Sequence, residues 1–333
     1  MNRQKILVAR AVFPDVVSRL REHFVVEDNP GDHIHSKSEL IDRLQGKDGA
    51  FTAGSDRIDA EVLAACPQLR VVCNMAVGYN NLDIAACTAA GVLATNTPDV
   101  LTETTADFGF ALMMAAARRI AESEHFLRRG EWTRWSYDMF NGSDVHGATL
   151  AILGMGRIGQ AIARRGALGF GMRVIYHNRS RLTAEQEAPI SARFVDKTTL
   201  LREADHLVLV LPYSPQSHHA IGAAELALMK PTATLTNVAR GGIVDDAALA
   251  EALRDKRIAA AALDVFEGEP TLHPGLLSVP NVVLTPHIAS ATVATRRAMA
   301  DLAADNLIAA LTGGVAPTPI NPEVLTRMRP SAA

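Results

Sequence analysis

Nine short apolar runs recur along the 333-residue chain, at 6–9, 50–52, 71–73, 150–153, 174–176, 207–211, 234–238, 260–263 and 282–284. As a set they are continuous rather than alternating, so the strands they predict are covered on both faces. Helix-length stretches separate them. Parallel strands need such crossovers, and the crossing helices supply the cover. The pattern predicts an α/β chain with two doubly wound parallel-sheet domains, the first three runs in one and the last six in the other. The length suffices for two cores. A long helix is expected over 104–127, with Thr104 and Asp107 as its capping pair and Phe108, Leu112 and Ala116 on one face. A last helix is expected over 292–311, stopped by Gly313-Gly314 and packing back on the first unit.

Composition narrows the function classes. The net charge of −3 offers no bulk attraction to nucleic acid or membrane. Cys66, Cys73 and Cys87 show no metal spacing, so no metal is expected and a reducing compartment is. The first residues, MNRQKILVARAVF, are too short in apolar run for a secretory signal, and no run reaches the ~18 residues of a membrane span. The expectation is a soluble, cytoplasmic protein.

Residues 150–159 read LAILGMGRIG. A strand, then Gly154-x-Gly156-x-x-Gly159, then a helix from near Gln160, is the context that makes a glycine motif specific. Gly154 permits the tight turn, Gly156 lets backbone approach a pyrophosphate, and Gly159 lets helix and strand pack closely. Arg157 and Ile158, between the last two glycines, belong to the same cofactor-binding set. The pyrophosphate would sit on the free N–H groups of the helix.

The next strand ends in YHNRSR, residues 176–181, where a dinucleotide unit usually carries an acid for the ribose hydroxyl. Asn178, Arg179, Ser180 and Arg181 stand there instead. A carboxylate repels a 2′-phosphate and a guanidinium binds one with two parallel hydrogen bonds, so NADP(H) is expected over NAD(H). The alternative is a solvated basic turn.

Ligands of open α/β sheets bind outside the carboxyl ends of the strands. There the chain places Leu211, Pro212 and Ser217, then Val238, Ala239 and Arg240, then Asp264 and Glu269, and last His287. Gly54 and Ser55 follow one first-unit run, and Val77 and Gly78 another. Hydride reaching a ketone carbon leaves charge on oxygen; histidine is the natural proton donor and arginine can clamp a carboxylate. The segment 128–147 is polar and holds Trp132 and Trp135, either tucked on its own core or gripping another subunit.

NMAVGYNNLD (74–83), GMGRIG (154–159), LPYSPQSHHAIG (211–222), NVARGGIVDDAAL (237–249), LDVFEGEP (263–270) and TPHIASAT (285–292) together resemble the D-isomer-specific 2-hydroxyacid dehydrogenases, most closely their glyoxylate/hydroxypyruvate and 2-ketogluconate reductase branch. The resemblance implies Arg240, Glu269 and His287 as the catalytic set, with Glu269 paired to the acid/base His287. It implies Asp264 on the nicotinamide amide, and Val77 and Gly78 backbone on the substrate carboxylate. It implies a Rossmann domain over 100–286 inserted into a flavodoxin-like substrate domain over 1–99 and 287–333, and a homodimer in which Trp135 reaches the partner's active site. Many relatives have Asp where this chain has Asn80. The expected activity is NADPH-dependent reduction of glyoxylate or hydroxypyruvate to the D-2-hydroxy acid. 2-Keto-D-gluconate, for which the small residues Ala53, Gly54 and Ser55 could leave room, is the alternative within the family. A dinucleotide-sensing regulator is the alternative of another class, and an NAD-linked oxidative enzyme is opposed by Arg179 and Arg181.

Overall fold

Strands without an exposed face need partners on both edges and helices on both sides, and the chain meets that need twice. In the computed structural model, which describes residues 3–328, each unit is a parallel sheet with its own core. The first unit runs to Leu101 and resumes at Thr292; the second spans Thr102–Ala291. The first holds β1 (Lys5–Val8), β2 (Val25–Asp28), β3 (Gly49–Thr52), β4 (Val71–Asn74) and β5 (Leu93–Thr95), in the order β2-β1-β3-β4-β5. β2 and β5 follow no expected run. β2, VVED, is a half-exposed edge strand with two acids, and β5 has only three residues. The helix Val293–Thr312 lays Ala300, Ala303, Ala304 and Leu307 on Ile6, Val8, Phe51 and Val71. It lies so close that a Cβ on Gly49 would meet Leu307 Cδ1 at 2.8 Å. Thr292 caps its start and Gly313, at φ 88°, ends it.

The second unit holds β6 (Thr149–Leu153), β7 (Arg173–His177), β8 (Arg193–Phe194), β9 (His206–Leu209), β10 (Thr234–Asn237), β11 (Ala260–Leu263) and β12 (Val282–Leu284), in the order β12-β11-β10-β9-β6-β7-β8. β8 is a two-residue edge strand without an apolar signal. Leu150 and Ile152 of β6 enter one core and Ala151 and Leu153 the other, which is why the run is continuous. The expected single helix is two, Thr102–Ala117 and Ile120–Arg128, parted where Arg119 takes φ 52°. Thr104 and Asp107 lie inside the first helix, and Asp107 binds Arg165 at 2.7 Å instead of capping. The second unit also keeps residues past 286. His287 N donates to Asp264 O at 2.9 Å, and the N–H groups of Ile288 and Ala289 reach the Asp264 carboxylate at 2.8 Å, so this segment is bound to the end of β11. Among the described residues no helix is long and apolar enough to cross a membrane, and Cys66, Cys73 and Cys87 are buried and form no disulfide.

Candidate active site

The strand order of the second sheet reverses between β6 and β9, and a crevice opens at such a switch point outside the carboxyl ends. Gly154 sits there at φ 102°, where any Cβ would lie 2.7 Å from Leu211 N. A Cβ on Gly159 would lie 2.4 Å from Gly154 O, so no side chain fits between helix and turn. Gly156 stands at the N-cap of the helix Arg157–Arg164 and has no side chain to cap it. The helix starts three residues before the expected Gln160, which puts Arg157 and Ile158 in its first turn. This cradle fits a dinucleotide pyrophosphate.

Asn178 closes the turn from below. Its Oδ1 accepts from Met155 N at 2.7 Å. Arg179 and Ser180 are exposed at the loop's tip. Arg181 is not equivalent to Arg179: its Nε and Nη2 donate to Glu187 Oε1 and Oε2 at 2.9 and 2.7 Å. The sequence reading missed Glu187, six residues away, because nothing in its spacing distinguishes it from a surface acid. Pro212 and Ser217 close the loop after β9 on themselves. Ser217 Oγ donates to Pro212 O at 3.0 Å and accepts from Ser214 N at 2.7 Å, so this buried hydroxyl faces its own turn.

Arg240 follows β10. The Asn237 side chain folds its turn, accepting from Ala239 N at 3.0 Å and donating to Arg240 O at 3.2 Å, while Val238 and Ala239 are buried. Burial lowers the Arg240 guanidinium from its ordinary value, opposed by the Glu269 carboxylate. His287 Nδ1 lies 2.8 Å from Glu269 Oε2, and Glu269 Oε1 accepts from Phe266 N at 2.8 Å. Burial raises the Glu269 carboxyl, but the hydrogen bonds from His287 and Phe266 outweigh it and the net direction is down. Glu269 is thus a carboxylate that orients Nδ1 and leaves Nε2 for chemistry. His287 itself is held at φ 54°, a conformation uncommon for a non-glycine residue, and the Asp264 contacts over-determine it. Asp264 is buried, with Thr285 Oγ1 donating to Oδ1 at 2.7 Å besides the two backbone donors.

The same loop is braced through Asp246, whose carboxylate accepts from Glu267 N at 3.0 Å. Burial pushes the Asp246 carboxyl up to about 6. The unfolded value is about 3.9, so the folded chain holds this proton more tightly. The associated stability is complete below about pH 4 and is lost as pH rises through about 6. Asp246→Asn should therefore gain in Tm relative to the parent as pH is raised from about 4 to about 7; a Tm difference that does not vary with pH contradicts this. His218, His219 and Glu267 bring ligand atoms within 4.8 Å, but the two imidazoles stack at 3.9 Å and 23°, and nearly parallel rings cannot aim their in-plane lone pairs at one ion.

In the first unit the carbonyls of Val77 and Gly78 accept from Asn96 Nδ2 at 2.8 Å and Asn74 Nδ2 at 3.1 Å. Among the described residues neither of these two backbone N–H groups donates a hydrogen bond. A Cβ on Gly54 would meet nothing within 4 Å. In the second unit Trp135 is 77% exposed and Trp132 55%, so the indoles are not tucked on their own core.

Residues 110–289 match the family described as D-isomer specific 2-hydroxyacid dehydrogenase, NAD binding domain. The chain is 49% identical over 330 residues to a glyoxylate reductase of Thermococcus onnurineus (strain NA1), with 98% of each chain covered. It is similar to the crystal structure of a glyoxylate reductase from Paecilomyes thermophila, at TM-score 0.87 and 31% identity, covering 97% of this chain and 100% of that one. It is also similar to an NADPH-dependent glyoxylate/hydroxypyruvate reductase from Sinorhizobium meliloti in complex with NADP and malonate, at TM-score 0.86 and 35% identity, with 100% of both chains covered.

Proposed function

The chain belongs to the D-isomer specific 2-hydroxyacid dehydrogenases, and from that premise we propose that it reduces a small 2-keto acid to the D-2-hydroxy acid with NADPH. The observation that carries the reading is the His287–Glu269 pair, 2.8 Å apart, at the carboxyl edge of the sheet that also bears the glycine turn. The turn Gly154–Gly159 would hold the dinucleotide, and a reduced nicotinamide bound there would supply hydride for the carbonyl carbon. His287 Nε2 gives its proton to the carbonyl oxygen, and Glu269 accepts from Nδ1–H and so orients the ring. Arg240 holds the substrate carboxylate by paired N–H donors. In the first unit the backbone amides of Val77 and Gly78 are proposed to bind a carboxylate, as the family resemblance implies.

Glyoxylate and hydroxypyruvate are the proposed substrates, in keeping with the names of the relatives. 2-Keto-D-gluconate is the second reading within the family, with exposed Gly54 proposed to border it. Turnover with any of them separates the enzyme from a dinucleotide sensor. A homodimer through residues 128–147 belongs to the proposal, supported by exposed Trp132, Trp135 and Tyr137; sedimentation as a monomer would remove it. A cytoplasmic location is proposed with it, supported by three buried cysteines in the reduced, undisulfided form.

NADPH preference rests on exposed Arg179 with Asn178 and Ser180 in place of an acid. A charge-assisted hydrogen bond contributes ~1.5–3 kcal/mol, so KM for NADPH should be about tenfold or more below that for NADH. Spectrophotometric assays of each keto acid with each cofactor measure this, and a lower KM for NADH overturns it.

A further inference from the structure

A loop that reads one phosphate must hold its donors still, and the loop after β7 is tied at both ends. Asn178 binds Met155 N at 2.7 Å at one end. At the other, Leu182 N donates to the Tyr176 hydroxyl at 2.8 Å, which donates to Glu187 Oε1 at 2.6 Å. Arg181 completes the tie with its two bonds to Glu187. Tyr176 is fully buried, its ring edge-on to Phe194 at 5.4 Å, and Glu187 is buried at the end of the helix Ala184–Glu187. The Arg181 hydrogen bond, then that of Tyr176, hold the Glu187 carboxyl at about 2, so it is an anion at any working pH. Only Arg179 and Ser180 lie between the ties, and both are exposed.

The two arginines therefore have different circumstances. Were Arg181 to turn to a phosphate, a buried carboxylate would be left with one hydroxyl partner, and an uncompensated buried charge is strongly unfavourable. Arg179 has no such tie to break. We propose that Tyr176, Glu187 and Arg181 form a brace that sets cofactor preference indirectly, fixing the loop so that Arg179 and Ser180 meet the 2′-phosphate. Arg181 is on this account a positioning residue. The proposal rests on the NADPH reading above.

The test is the ratio of kcat/KM with NADPH to that with NADH, measured on full-length protein, because the ratio divides out any general loss. Glu187→Gln and Tyr176→Phe should each lower it by about three- to tenfold, the effect of one weakened hydrogen bond. The Arg181→Ala/Glu187→Gln double variant should be no lower than Arg181→Ala alone, since both break one unit. If Arg181 instead touches the phosphate, Glu187→Gln frees its charge and the ratio rises. A rise, or no change in both Glu187→Gln and Tyr176→Phe, overturns the brace. Arg179→Ala separates the levels. If it lowers the ratio while the brace variants do not, only the brace fails. If it leaves the ratio at the parental value, or the parent favours NADH, the cofactor reading fails and the brace with it.

Discussion

Replacing His287 with Asn should lower kcat for keto-acid reduction by about 10²–10⁴-fold, the usual worth of general acid catalysis. Asn is the better probe because the site is held at φ 54°, a region Asn tolerates and Ala does not. Backbone strain is thereby kept apart from the loss of the proton donor. Asn also retains a polar side chain but has no group that gives a proton near neutral pH. Glu269 would be left without its 2.8 Å partner, so a modest loss of stability should accompany the kinetic effect. Steady-state kcat with saturating NADPH and hydroxypyruvate is the measurement. A kcat within a few-fold of the parent would mean that the proton comes from elsewhere and would remove His287 from the mechanism.

Gly241→Ala should cost more than its size suggests. An added Cβ would lie 1.7 Å from Phe266 O and 2.2 Å from Phe266 C, both backbone atoms that cannot swing away. The loop bearing Arg240 and the loop bearing Glu269 must separate to admit it. Overpacking typically costs ~1–3 kcal/mol, and here the clash is with main chain on both sides of the catalytic set, so the upper end is expected. For a unit of this size each kcal/mol lowers Tm by about 2–4 °C. A fall in Tm of roughly 6–12 °C, with loss of most activity, is the expected result. Thermal unfolding and kcat/KM at a permissive temperature measure it. A variant with parental Tm would show that the two loops are not in contact as described.

Much of the candidate site's placement at strand ends could be read from residue order. Continuous apolar runs signalled parallel strands because alternate side chains of one strand feed two cores, as Ala151 and Ile152 do. The glycine spacing located the turn because Gly154 and Gly159 each answer a local steric demand, whereas a Cβ on Gly156 would meet nothing within 4 Å. Residues at strand ends located Arg240, Asp264 and His287, since the carboxyl edge of a parallel sheet is where side chains converge. Weak edges were not legible: Val25–Asp28, Leu93–Thr95 and Arg193–Phe194 are too short or too polar to leave a pattern. The break at Arg119 was not legible either, because the helical pattern continues across it.

What the sequence determined by itself is therefore the class of fold, the cradle and the residue types gathered at one edge, all of which follow from neighbours along the chain. What only the tertiary structure decided is how those residues are partnered. Arg179 and Arg181 look alike in sequence, yet Glu187 takes one of them. Gly241 looks like any turn glycine, yet a carbonyl 25 positions on leaves it no room for a side chain. His287 is fastened by Asp264, so it stays with the dinucleotide-binding unit and not with the tail that follows. Such pairings depend on which strands lie side by side and how their loops turn, and that is a property of the packed sheet that no local spacing encodes.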